Sequence, residues 1–343
     1  MVRIHRLEIV LILALLASGV LSFAVRRFER QVFLPKETSA STREKIQTAM
    51  NLEPDKLQEK VLAHPSVWWR FRVASASALI LMFGILAASL RLFFCLLTGR
   101  PLYQPLGSPP EPSWSLQQIG RLVLLLVVLS QWVLLAEWAI AVRFHPRWLD
   151  PHVVTLGNTF LIDLVVLVLG GSLMLRSGKP TGEKAPFGAA VRFAVGGYLT
   201  FLPVLAVLVM IVSVLMKAFH YQAEPQAVFS LFLSEFRRPV VAWLLLLAAW
   251  VGPVAEEIFF RGLFYGWLRN RIGIRRALLF TAFLFACLHT DLASFVPIFA
   301  LGLLFGWVYE KTGSLAAPVA IHILHNAGML YLAFLIRTLA SFS

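Results

Sequence analysis

Charged residues are scarce in this chain, and cysteine is scarcer still. Asp, Glu, Lys and Arg make up 14% of the 343 residues, whereas apolar residues make up 59%. A soluble globular domain has about a quarter of its residues charged and about half apolar. This scarcity, together with a mean hydropathy of +0.77, excludes an ordinary soluble domain and predicts a membrane protein. The two cysteines, Cys95 and Cys287, lie far apart in apolar runs, which excludes a disulfide framework and a cysteine-based zinc site.

Two further patterns are missing, and negative charge is in deficit. The His-Glu-x-x-His signature of soluble zinc proteases does not occur. No segment is repeated, whereas many transporters consist of two similar halves. The net charge is +13, but Lys and Arg cluster between apolar runs, as they do in loops that flank a bilayer. The expected partner of this positive charge is therefore the lipid bilayer and not nucleic acid.

Long apolar runs dominate what is present. A membrane-spanning helix needs about 20 predominantly apolar residues, and turn formers separate the runs of this chain. We expect an all-α, polytopic membrane protein with eight or nine transmembrane helices and a polar cavity inside the membrane. The run at 276–290 is short enough to be partly re-entrant. The expected spans are 8–25, 73–98, 119–143, 153–176, 188–218, 239–268, 276–290, 295–310 and 315–337.

Three polar fragments interrupt the last of these runs: Ala255–Arg261, Phe285–His289 and His322–Asn326. An ionisable side chain inside a membrane is costly, so it indicates function unless a partner explains it. Two adjacent glutamates, an arginine and three histidines are too many polar groups for ordinary membrane helices. The fragments therefore mark the candidate site.

The first fragment contains its own charge partner. Glu257 and Arg261 are four residues apart with the glutamate first, the favoured order for an ion pair on a helix. This pair would leave Glu256, about 100° around the helix, available for other work. Gly252-Pro253 precede the fragment and permit a kink, which membrane helices tolerate next to protein or a water-filled cavity.

The fragments are placed at similar depths. Glu256 lies 13 residues before the basic loop that begins at Arg269, and His289 lies 13 residues after the end of that loop. At a rise of 1.5 Å per residue, both lie roughly 20 Å from the same loop. His322 and Asn326 follow the next polar loop by similar distances and share one helix face. Straight helices would bring all four groups into one layer, where we expect them to line one cavity.

This set of groups suits the hydrolysis of an amide bond. Glu256 could take a proton from water as general base, and His289 could hold that water or carry the proton. His322 and Asn326 could donate hydrogen bonds to the developing oxyanion, at about 3–4 kcal/mol for a good donor. Alternatively, zinc could be bound by Glu256, His289 and His322, with water in the fourth position.

The three motifs Glu256-Glu257-x-x-x-Arg261, Phe285-x-x-x-His289 and His322-x-x-x-Asn326 resemble those of the CPBP intramembrane proteases. This family includes CAAX prenyl endopeptidases of the Rce1 type and bacterial relatives linked to bacteriocin processing and immunity. The resemblance implies an intramembrane endopeptidase of the bacterial inner (cell) membrane that acts on a membrane-associated protein or peptide. It implies that Glu256 activates water, that His289 assists, and that His322 and Asn326 bind the oxyanion. Both a metalloprotease and a metal-free glutamate mechanism are discussed for this family.

The resemblance covers about 239–337 and suggests a division of the chain. The expected parts are a membrane anchor at 1–25, a small extramembrane insert at 26–66, transmembrane helices without a motif at 67–238, and a catalytic transmembrane core at 239–337.

Two alternatives to an enzyme remain open at this point. The chain could be a transporter whose buried charges carry protons or ions, or a catalytically silent immunity or scaffold protein that uses the same residues for binding. Glu137 and Asp163 lie in earlier spans, where they could pair with Arg143 or Arg192 or mark a transport path. His325 lies off the face of His322 and is more typical of a satisfied interior histidine.

Overall fold

The computed structural model describes residues 65–144, 151–176, 184–221, 227–235, 237–289 and 292–340. Helices dominate these residues, and none of them belongs to a strand. The predicted anchor at 1–25 and nearly all of the predicted insert at 26–66 lie outside them, as does the side chain of Glu137.

Twelve α-helices and three π-helical segments make up this part of the chain. The α-helices are α1 (Pro65–Thr98), α2 (Leu116–Phe144), α3 (Pro151–Val165), α4 (Gly171–Leu175), α5 (Phe187–Ala218), α6 (Ala227–Ser234), α7 (Arg238–Leu246), α8 (Gly252–Glu257), α9 (Gly266–Ile272), α10 (Ile274–Cys287), α11 (Leu292–Thr312) and α12 (Ala316–Ala340). The π-helical segments are Val166–Gly170, Leu247–Val251 and Ile258–Tyr265.

Seven helical stretches in the described part of the chain are long and apolar enough to cross a bilayer. The chain is thus an all-α, polytopic integral membrane protein, as the apolar runs predict. The predicted run at 8–25 lies outside the described residues. The run at 276–290 forms α10, whose 14 residues are fewer than the roughly 20 that a full span needs. The seven stretches are Trp68–Thr98, Leu116–Ala136, Val153–Leu175, Phe187–Ala218, Arg238–Ile272, Leu292–Thr312 and Ala316–Thr338.

The helices are grouped in two compact units. Each unit contains helices from the predicted motif-free part at 67–238 and helices from the predicted core at 239–337. The first unit comprises Glu111–Thr181 and Glu235–Gly273. Within it, α3 packs against α2, α7 and α8, and the first π-helical segment contacts the third. These contacts fix the surroundings of the Glu256-Glu257 pair.

Two features hold the third π-helical segment within the first unit. A Cβ atom on Gly170 would lie 3.2 Å from Cδ1 of Leu263, so the missing side chain permits close contact between the two segments. The indole N–H of Trp114 donates a 2.9 Å hydrogen bond to the carbonyl of Leu263. Trp114 precedes α2, which begins with a capping box in which Ser115 and Gln118 each bond the other's backbone N–H.

The second unit comprises the described residues up to Pro110 together with Gly182–Ser234 and Ile274–Ser343. Within it, α5 packs against α1, α11 and α12, while α10 packs along α11. The predicted turn after α11 contains Gly313, which has a φ of 64°. Here a Cβ atom would lie 2.3 Å from the carbonyl oxygen of Ser108. Glycine is therefore required at this turn for both its backbone conformation and its size.

Candidate active site

The helix that carries the two glutamates, α8, is short and lies between two π-helical segments. The Gly252 N–H donates to the carbonyl of Leu247, five residues earlier, which is the π-helical pattern. A proline inside a regular α-helix clashes with the carbonyl four residues before it and cannot donate a hydrogen bond. The wider π-helical turn accommodates Pro253 directly after Gly252, so the kink that this dipeptide permits takes the form of a change in helix type. Such π-helical segments occur frequently at functional sites.

Glu257 and Arg261 form the ion pair that their spacing predicts. Arg261 Nη1 donates to Glu257 Oε1 at 2.8 Å. The side chain of Arg261 is 1% exposed and that of Glu257 is 0% exposed. The Arg261 charge also lies near enough to attract Glu256. Glu256 is only partly buried, in contrast to its neighbour. The arginine therefore locks Glu257 in place and provides a favourable field for Glu256.

A third carboxyl group, from α3, belongs to the same surroundings. Asp163 is 8% exposed, and its charge is close enough to that of Glu256 for the two to repel each other. Among the described residues Asp163 has no ion pair and its buried Oδ2 has no hydrogen-bond partner. The option in which Asp163 pairs with Arg143 is therefore not realised, because the helix packing directs the carboxyl group towards α8.

The second polar fragment ends α10. The Nδ1 atom of His289 lies 2.9 Å from the Phe285 carbonyl oxygen. A carbonyl can only accept, so Nδ1 carries the proton in this bond, and the Nε2 atom of the neutral ring has a free lone pair. Phe285 is buried and its ring centroid lies 5.0 Å from that of His289. Phe285 therefore has a packing role, since its ring lies against the histidine ring and restricts its orientation.

His322 on α12 is held between aromatic rings. Its ring stacks on Phe305 at a centroid distance of 4.7 Å and meets Phe285 edge-on at 5.9 Å. The side chain is 4% exposed. Phe285 thus touches both His289 and His322, which brings the two predicted imidazoles together within the second unit.

The other polar side chains of α12 follow the same helix. Asn326 lies one turn after His322 and is partly buried. His325 lies 3.0 Å, through Nδ1, from the hydroxyl oxygen of Tyr198 on α5. His325 is therefore a satisfied interior histidine, as expected. Tyr198 is a residue that the sequence did not single out, because no spacing rule connects it to a helix 127 residues away.

The six predicted residues thus form two sets. Glu256, Glu257 and Arg261 lie together in the first unit, and the second unit contains the other three, His289, His322 and Asn326. The meeting of both sets in one cavity stays a prediction from their depths.

No three or more His, Cys, Asp or Glu side chains in the described ranges are arranged to hold a metal ion. Glu256 belongs to the first unit and His289 and His322 to the second, so the alternative in which these three residues bind zinc stays a prediction.

Comparison with known proteins supports the resemblance seen in the motifs. Residues 238–328 match the Rce1-like family, described as type II CAAX prenyl endopeptidases. The chain is 23% identical over 168 residues to YdiL of Bacillus subtilis (strain 168), which carries the name of a membrane peptidase; the match covers 49% of this chain and 66% of that protein. It is 36% identical over 83 residues to the membrane-embedded CAAX protease MroQ of Staphylococcus aureus (strain USA300), a match that covers 22% of this chain and 33% of that protein.

The chain thus spans less than two thirds of the length of each of these relatives. No solved structure matches it. The segment that matches the family contains all six predicted site residues.

Proposed function

We propose that this protein is an intramembrane endopeptidase that hydrolyses a peptide bond of a membrane-associated protein or peptide. The observation that carries the proposal is the match of residues 238–328 to the Rce1-like family, since that segment includes every residue that the chemistry requires. The bacterial origin of the two relatives supports a place in the bacterial inner membrane.

Glu256 is the general base of the proposed reaction. It takes a proton from water, and the water oxygen then attacks the carbonyl carbon of the scissile peptide bond. The environment of Glu256 supports this role, because Glu257 already forms the buried ion pair with Arg261 while Glu256 is only partly buried. A base that receives a water proton must be reachable by water.

His289 carries the proton onward. Its Nδ1 is held by the Phe285 carbonyl, so Nε2 is the atom that can accept a proton from Glu256 and deliver it to the leaving amine nitrogen. The carbon–nitrogen bond then breaks and the water oxygen remains on the new carboxyl group.

His322 and Asn326 stabilise the negative charge that develops on the carbonyl oxygen. His322 is rigidly held between Phe285 and Phe305, and Asn326 lies one turn further along the same helix. Preorganised donors of this kind contribute about 3–4 kcal/mol each to the transition state.

The test compares cells that contain the wild-type protein with cells that contain Glu256→Gln at equal membrane abundance. New protein termini are identified by mass spectrometry of the membrane fraction. We expect at least one membrane-associated protein to lose its cleaved terminus in the variant. Glu111→Gln is the matched control, because Glu111 is an exposed carboxylate before α2. Cells that contain this variant should show the same cleaved termini as the wild type.

Two outcomes would contradict the proposal. Cleavage by the Glu256→Gln variant at the wild-type rate would rule out Glu256 as the general base. The absence of any terminus that depends on the wild-type protein would favour the transporter or the catalytically silent scaffold instead.

A further inference from the structure

Asp163 is a buried carboxyl group that the proposed mechanism does not yet use. It is 8% exposed and lies within the membrane-spanning stretch Val153–Leu175. Its buried Oδ2 has no hydrogen-bond partner among the described residues. An ionisable group without a compensating partner destabilises the folded protein in such surroundings. A group that costs stability in this way is typical of a functional site.

The unpartnered oxygen is directed at the helix that carries Glu256. A Cβ atom on Gly252 would lie 3.8 Å from Asp163 Oδ2, so the missing side chain of Gly252 leaves space directly beside this oxygen. Glu256 is four residues after Gly252, on the same face of α8. Asp163 and Glu256 are also close enough for their charges to interact, which agrees with this placement.

Two carboxyl groups that border one small space can hold a water molecule between them. Water has two O–H donors, and a carboxyl oxygen accepts. A polar space with several partners of this kind is the setting in which proteins bind internal water.

We propose that Asp163 is a positioning residue for the water that Glu256 activates, an inference that rests on the proposed function. One O–H of the water donates to Glu256 and the other to Asp163 Oδ2. Glu256 takes the first proton, while the second O–H of the water stays hydrogen-bonded to Asp163. The oxygen lone pair is thereby directed at the scissile carbonyl carbon. The new bond joins the water oxygen to that carbon, the carbon–nitrogen bond breaks, and the proton on Glu256 passes through His289 to the amine. The proton near Asp163 stays on the product carboxyl group.

The test uses the full chain in liposomes. Its substrate is a quenched-fluorescent peptide that spans a cleavage site identified by the mass spectrometry of membrane-protein termini proposed above. Asp163→Leu removes the acceptor and keeps an apolar side chain in the space. We expect kcat to fall by about a hundredfold, the usual loss for a misplaced reactant, with KM unchanged. Asp163→Asn, which keeps an accepting oxygen, should retain most of the activity. Thr159→Val is the control, because Thr159 lies one turn earlier on α3, is exposed and donates to the Thr155 carbonyl within its own helix. This variant should behave as wild type.

A second measurement separates a positioning role from a structural one. Because Asp163 Oδ2 has no hydrogen-bond partner in the described part of the chain, Asp163→Leu should unfold at the same temperature as the wild type or higher, even though kcat falls. In Asp163→Ala, added formate should restore part of kcat by supplying the missing carboxylate. A lower unfolding temperature without formate rescue would assign Asp163 to the structure and overturn the inference.

The inference and the proposed function fail in different ways. Full kcat in Asp163→Leu, with Glu256→Gln inactive, overturns the role of Asp163 and leaves the proposed function standing. Activity in Glu256→Gln overturns both.

Discussion

At the residue scale, Glu256 and Glu257 are neighbours with different surroundings. Glu257 is fully buried against Arg261, whereas Glu256 is partly buried and close enough to Asp163 for their charges to interact. The reason is the 100° rotation between successive helical residues, which directs one carboxylate at the arginine and the other away from it. The spacing of Glu257 and Arg261 predicts this difference, but no spacing reveals Asp163 as a neighbour of Glu256.

The buried ion pair leads to a prediction about stability. Arg261→Gln leaves the charge of Glu257 buried without its partner, so we expect it to lower the free energy of unfolding by about 3–5 kcal/mol. The same change at Arg237, which is 48% exposed and pairs with the buried Glu235, should cost less, because the Arg237 backbone N–H still donates to Glu235 Oε1. Thermal unfolding in detergent, followed by tryptophan fluorescence, measures both. Equal losses in the two variants would show that burial does not strengthen the Arg261 pair.

Asn326 leads to a prediction about catalysis. If its amide donates to the oxyanion, Asn326→Ala should lower kcat by about a hundredfold or more and leave KM nearly unchanged. Asn270→Ala, at an exposed position of α9, is the control and should not alter either constant. A loss confined to KM would make Asn326 a substrate-binding residue.

At the scale of elements, small residues determine how closely the helices approach. A Cβ atom on Gly302 of α11 would lie 3.1 Å from both Cα and Cβ of Ala282 on α10. These atoms belong to the backbone or adjoin it, so they cannot rotate away. The contact matters for the site because α10 ends at the histidine motif and α11 supplies Phe305, the ring on which His322 stacks.

We therefore expect Gly302→Leu to force α10 and α11 apart, with a loss of about 1–3 kcal/mol of stability from overpacking and a fall in kcat. Gly328→Leu, on α12, is the matched control, because no atom lies within 4 Å of the Cβ position there. Unfolding temperature and kcat are measured for both variants. The same effect in the two variants would mean that the bulk of leucine in a membrane helix, and not the α10–α11 contact, is responsible.

At the scale of the whole molecule, the missing His-Glu-x-x-His signature of soluble zinc proteases leads us to predict a reaction that tolerates chelators. Cleavage in liposomes should continue after treatment with 1,10-phenanthroline, while a soluble zinc protease in the same buffer loses activity. The purified protein should also contain far less zinc than one ion per chain, and His322→Ala should not change that content. Inactivation by the chelator that zinc reverses would establish a metal site.

The sequence by itself determined the membrane class and the positions of seven spans, and it predicted the six residues of the candidate site. These features follow from local properties: apolar run length, the cost of charge in a bilayer and the three- and four-residue spacings of a helix. The pair of Glu257 and Arg261 is local in this sense, as is the His322 and Asn326 face.

Only the tertiary structure decided which distant side chains surround these residues. The approach of Asp163 to α8, the aromatic rings around His322 and the contact of Tyr198 with His325 depend on which helices pack together. The π-helical segments on both sides of α8 belong here too, because Gly252-Pro253 indicates a break without specifying its form. Helix packing is set by the shapes of many side chains at once, and that information is not contained in any short stretch of sequence.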